Sequence, residues 1–168
     1  MAHYVEKRVK VNIPASKIWN VLKDFSSVER FAVTIKSSPI INDKPFGLGA
    51  KRLCTFQDGS SLVEEIIQFE EGEGYTMELS EYSFPLKNMH SEMKVKAVTN
   101  NTSELFMSTT FVAKGGPFGW LLGQFLMAPM MKGVFTKLLN GLAYHSETGN
   151  SVGEKLPDKK EWSKLVLG

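Results

Sequence analysis

The chain of 168 residues has a single cysteine, Cys54. A lone cysteine excludes an intramolecular disulfide and any metal cage built from thiolates. Its three histidines, His3, His90 and His145, are scattered, and no ligand spacing supports a metal site. There is no nucleophile elbow, phosphate loop or dinucleotide fingerprint, and no cofactor is expected. Basic and acidic side chains nearly cancel, 20 against 18, and no basic run is interleaved with aromatics. So weak a field argues against nucleic acid as a partner. The opening residues, MAHYVEKR, contain no apolar signal-peptide core, so a cytoplasmic protein is the expectation. Internal repeats and low-complexity tracts are also lacking.

What the chain does have is an apolar stretch late in its length. From Pro117 to Phe135 the only charge is Lys132 and the only amide Gln124. That approaches the about 20 residues that cross a bilayer. Gly119, Gly123, Pro129 and Lys132 interrupt it, and Pro129 is expected to break or kink a helix there, so a buried helix is favoured over a span. The helical region is read in two parts, Phe118 to Met127 and Pro129 to Glu147. In the second, Met131, Val134, Phe135, Leu138, Leu139 and Leu142 recur at steps of three and four and give one apolar face.

The residues before it alternate with the period of strands. Tyr4 to Ile13 sets Val5, Val9, Val11 and Ile13 on one face. After Pro14, Ala15 to Phe25 reads as a short helix with Ile18, Trp19, Leu22 and Phe25 on its apolar side, and Val28 to Phe31 offers one more turn. Strands are then predicted at 34–41 (with Pro39 marking an edge or bulge), 50–56, 61–69, 75–83, 89–98 and 104–113, joined by short turns such as Asp58-Gly59. About seven strands in a meander, two short helices after the first, and one long helix at the end make an α+β domain over residues 1–149. Residues 150–168 form a polar tail in which Pro157-Asp158 starts a short helix bearing Trp162, Leu165 and Val166.

Several pieces in this order resemble the START-like superfamily, also called SRPBCC, the helix-grip fold of the birch pollen allergen and the plant abscisic acid receptors. They are Pro14 to Trp19 (PASKIW), Gly47 to Arg52 (GLGAKR), Asp58-Gly59 followed by Leu62 to Ile66 (LVEEI), Phe84 to Asn88 (FPLKN), and Asn140 to Leu142 (NGL). The chain is most similar to the bacterial polyketide cyclase/dehydrase and lipid-transport group. The resemblance implies a curved antiparallel sheet wrapped around the long C-terminal helix, with a cavity for a hydrophobic molecule between them. The lysine that holds the hormone carboxylate in the plant receptors is replaced here by Ala32, so that recognition is not implied.

Alternation together with the resemblance assigns the cavity face. Leu62, Glu64 and Ile66 share one strand face, as do Met77 and Leu79, Met89 and Ser91, and Met107, Thr109 and Phe111. Phe31, Phe84, Pro85 and Leu86 form an apolar rim, and Gln57 to Ser61 and Phe84 to Lys87 are candidate loops at the mouth. Lys137 and Gly141 are implied at the cavity by their helical positions. Glu64 is the sharpest residue, a carboxylate among apolar inward positions that needs a partner once buried; Lys137 is the expected one. The methionines suit an adaptable apolar wall.

The leading expectation is binding, or transport, of a small hydrophobic molecule such as a lipid or polyketide. Apolar walls supply affinity, and Glu64, Ser91 and Thr109 supply orientation. The alternative is a polyketide cyclase or dehydratase with Glu64 as acid and base. A third reading has residues 118–127 touch a membrane transiently as an interfacial segment.

Overall fold

Apolar and polar residues alternate along seven segments, and each becomes a strand because only then does its apolar half reach a common core. The computed structural model describes residues 1–168. The strands are β1 (His3–Val11), β2 (Ile35–Ser37), β3 (Lys51–Phe56), β4 (Ser61–Glu70), β5 (Gly74–Ser80), β6 (Leu86–Ala97) and β7 (Ser103–Ala113). They form one antiparallel, curved sheet in the order β1-β7-β6-β5-β4-β3-β2. Between β1 and β2 lie α1 (Ala15–Leu22) and a 3-10 segment (Phe25–Arg30). Ile18, Trp19 and Leu22 of α1 are buried, and the Trp19 indole Nε1–H donates to Glu71 at 3.0 Å.

Strand β2 is shorter than predicted. Only Ile35 and Ser37 pair with β3, because Pro39 cannot donate to the ladder; a lone bridge, Ile40 to Arg52, follows it. It is an edge strand, as its proline implies. A second irregularity, a bulge between Ile66 and Gln68, bends β4.

The late helical run crosses the concave face without a break. It comprises α2 (Gly116–Leu122), a π-helical turn (Gly123–Met127) and α3 (Ala128–Thr148). The expected break at Pro129 is absent. Just ahead of the proline, the Ala128 N–H reaches back five residues to the Gly123 carbonyl, so the helix widens where a bond is missing. Phe135, Leu138, Leu139, Leu142 and Ala143 of α3 are buried in a core shared with every strand except β2's polar end. Helix and sheet therefore make the α+β helix-grip arrangement. No helix is long and apolar enough to cross a membrane.

Two glycines fix the helix. At Gly141 an added Cβ would stand 2.1 Å from the Phe31 carbonyl oxygen, so only glycine lets α3 approach the 3-10 segment this closely. Gly149 ends the helix in the left-handed region (φ +74°), with its N–H bonded to the His145 carbonyl at 2.8 Å. Beyond it Val152 packs with Val33 and Tyr144, and α4 (Lys159–Trp162) begins just after Asp158. The last residues then pair with β1: Asn12 N–H bonds the Leu165 carbonyl (2.7 Å) and Leu167 N–H the Lys10 carbonyl (2.7 Å).

Candidate functional site

Antiparallel register sets the inward residues in rows across the sheet. One row runs Arg52, Glu64, Leu79, Met89, Phe111, His3 from β3 to β1, and the next runs Ile66, Met77, Ser91, Thr109, Val5 from β4 to β1. A third holds Tyr75, Met93 and Met107. Where α3 stands off these rows it leaves a cavity of about 170 Å³. Its floor includes Leu62, Met77, Leu79, Met89, Met93 and Met107; its roof is Met127, Met130, Met131, Val134, Phe135 and Leu138. Val28, Thr34, Ile35, Phe56 and Phe84 close one end, with the Phe56 and Phe84 rings edge to face at 6.3 Å. All seven methionines other than Met1 face this one space.

Its polar groups are few. Glu64 lies on the wall with its side chain 13% exposed, and Arg52, directly opposite in register, is 5% exposed. The Arg52 Nε–H and Nη2–H both donate to Glu64 Oε2, at 2.6 and 2.5 Å. Nη1–H donates to the Phe25 carbonyl at 2.8 Å, and the guanidinium lies 3.9 Å over the Phe25 ring. The Cys54 thiol donates to the same Oε2 at 3.4 Å. Burial would lower the Arg52 pKa, but the Glu64 charge more than reverses this, and the net shift is upward. Burial and then Glu64 push the Cys54 thiol up, so it stays protonated. Burial also pushes the Tyr75 phenol up to about 12. Three of these contacts, from Arg52 Nε, Arg52 Nη2 and Cys54, converge on Oε2, while no hydrogen bond within the protein engages Oε1 of this cavity-facing carboxylate. Further along the floor, the Ser91 and Thr109 hydroxyls bond each other at 2.7 Å.

The roof is tied down at its leading end. The His3 ring stacks on Phe111 (centroids 5.0 Å) and Trp120 (5.8 Å), and its Nδ1 lies 3.3 Å from Gln124 Oε1. Gly123 admits the ring, because a Cβ there would sit 2.5 Å from His3 Nε2.

Of the residues expected at the cavity, Leu62, Glu64, Met77, Leu79, Phe84, Met89, Ser91, Met107 and Thr109 line it. Six others do not. Ile66 sits at the bulge in β4, Leu86 begins β6 opposite Ala113, and Phe111 packs beneath His3; all three are buried in the core. Phe31 and Gly141 are pressed against each other on the far side of α3. Lys137 is exposed, turned about 100° around the helix from its cavity-lining neighbour Leu138. The expected Glu64–Lys137 pair is therefore replaced by Glu64–Arg52. Arg52 and Cys54 were missed, although counting back from the Asp58-Gly59 turn places Arg52 opposite Glu64.

Comparison with solved structures places the same fold elsewhere. A protein from Thermobifida fusca is 22% identical, with a TM-score of 0.69 over 85% of this chain and 92% of its own. A Streptomyces aromatase/cyclase is 15% identical (TM-score 0.66; 90% of this chain, 100% of that one). Norcoclaurine synthase from Thalictrum flavum, in complex with dopamine and hydroxybenzaldehyde, is also 15% identical (TM-score 0.64; 88% and 86%). At such identities the likeness establishes the fold alone. No curated protein sequence matches the chain. Residues 2–147 match the family described as polyketide cyclase/dehydrase and lipid transport, and the chain belongs to that family.

Proposed function

We propose that this protein binds a small hydrophobic molecule carrying a hydrogen-bond donor, with its apolar body against the methionine wall and its donor on Glu64 Oε1. The observation that carries this reading is the unpartnered oxygen of a carboxylate whose other oxygen is fully engaged, on the wall of an otherwise apolar cavity. A cavity of about 170 Å³ is close to the about 150 Å³ that suffices for a benzene ring in an engineered apolar void. One ring or a short chain fits without movement. Longer ligands require the methionine side chains, with their three rotatable bonds, to turn aside. Membership of a family whose scope includes lipid transport supports the class of ligand.

Acid/base catalysis would use the same Oε1. It is the weaker reading because the only other ionisable groups at the cavity are Arg52, which stays charged, and Cys54, which stays protonated. Proton removal and return would both fall to one carboxylate.

Displacement of a fluorescent apolar probe by paired ligands tests the binding reading. Phenols are expected to bind roughly tenfold more tightly than their deoxy counterparts, the worth of a hydrogen bond to a charged acceptor. Glu64→Gln keeps an oxygen for Arg52 and presents an amide N–H₂ to the cavity, so it should reverse the preference toward acceptor ligands such as ketones. Equal binding of phenols and deoxy analogues by the unaltered protein would overturn the assignment. A turnover that Glu64→Gln abolishes while affinity persists would transfer it to catalysis.

A further inference from the structure

The helix that roofs the cavity has an opposite face that nothing covers. Along α2 and the π-helical turn, Phe118 is 78% exposed and Phe125 73%, with Leu121, Leu126 and Met130 exposed beside them. These side chains are not needed to hold the helix, since Gly119, Gly123 and Met127 make its buried contacts. A contiguous apolar patch of this kind on a monomer marks a surface that meets something.

Charge says what it meets. Between Glu104 and Glu147 the chain contains no aspartate or glutamate, and its only Lys or Arg residues there are Lys114, Lys132 and Lys137, all exposed. The remainder of the protein mixes both signs, and the overall balance is 20 basic to 18 acidic. A twofold contact between two such faces would set lysines against lysines with no carboxylate among them. A surface carrying negative charge above an apolar interior complements both features at once.

We propose that this face docks on an anionic lipid bilayer. Phe118, Leu121, Phe125 and Leu126 insert shallowly, and Lys114 and Lys132 meet the headgroups. The segment lies in the plane of the interface, as an amphipathic helix does, because no helix here is long and apolar enough to cross. Met130 belongs to both surfaces: it is 55% exposed in the patch and also lines the cavity. It makes an apolar route between the acyl layer and the cavity, so a greasy ligand would pass without crossing water. Docking itself does not depend on what the cavity holds.

Sedimentation of the purified full chain with vesicles tests this, using pure phosphatidylcholine and phosphatidylcholine with phosphatidylserine, at low and high salt. The protein should sediment with the phosphatidylserine vesicles, and more weakly at high salt. Phe118→Ser with Phe125→Ser should reduce affinity by at least roughly tenfold. Lys114→Gln with Lys132→Gln should reduce it by roughly tenfold for anionic vesicles only. All four side chains are exposed, so thermal unfolding should not change. Failure to bind phosphatidylserine vesicles overturns the proposal, as does binding that survives the phenylalanine substitutions. Self-association abolished by those substitutions, without vesicle binding, would assign the face to a second copy of the chain.

Discussion

Replacing Arg52 with methionine removes the one cation beside the cavity while keeping much of its aliphatic length. The loss follows from the geometry. Arg52 and Glu64 are interior groups, their side chains 5% and 13% exposed, so water does little to replace the contact. Oε2 would lose two charge-assisted bonds and keep only the weak Cys54 thiol, and the Phe25 carbonyl would lose its Nη1 donor. Breaking a buried pair by removing one partner costs about 3–5 kcal/mol. Set against a typical total of about 5–15 kcal/mol, that leaves the fold marginal. Removing both charges is different. Arg52→Met with Glu64→Leu leaves no buried ion, and its remaining cost is the charge-assisted bond lost by the Phe25 carbonyl, about 1.5–3 kcal/mol. Urea unfolding followed by circular dichroism would compare the three variants with the parent chain. The double variant should be more stable than Arg52→Met alone, the signature of a coupled pair. A single variant that loses less than about 1 kcal/mol, or a double variant no better than the single, would refute the account of Oε2.

Stability should also fall in alkali, for a reason that can be isolated. The Cys54 thiol and Tyr75 phenol have ordinary values of 9.0 and 10.0, and both are raised in the folded chain. The folded protein keeps protons that the unfolded chain gives up, so this contribution is intact below about pH 8 and declines as pH rises through 9 and then 10. The slope is about 1.4 kcal/mol per pH unit for each group once its unfolded form has ionised. Denaturant titrations at a series of alkaline pH values should show Cys54→Ala flattening the first part of the decline; identical slopes would discard the explanation. At Gly141, alanine meets the Phe31 carbonyl and should cost about 2–3 kcal/mol, whereas Gly133→Ala, with nothing within 4 Å, should stabilise α3 by up to about 1 kcal/mol. Equal melting temperatures for these two variants would remove the close-approach argument.

The strands were legible because each is a local pattern. Alternation alone sorts Tyr75, Met77 and Leu79 from Thr76 and Glu78, and the same holds along β6 and β7. The cross-strand partner of Glu64 was also within reach, since a hairpin at Asp58-Gly59 determines its own register. What escaped depends on distant geometry. Ile66 keeps its inward place opposite Met77, yet it is packed into the core while Met77 lines the cavity, a difference that nothing in β4 alone announces. Lys137 stands off the apolar stripe of α3 and is exposed, whereas the contact of Gly141 with Phe31 joins residues far apart in the chain and no local pattern announces it. Likewise, the polar tail gives no hint that Val166 will bridge Val11.

The convergence of methionines has a practical corollary. Seven of the eight methionines line one void, and the eighth is the exposed Met1. Isotope labelling of that single amino acid would therefore turn the cavity wall into its own spectroscopic gauge. Rotamer exchange of these unbranched chains would report how readily the space expands, and mild oxidation to sulfoxide would make the same wall polar.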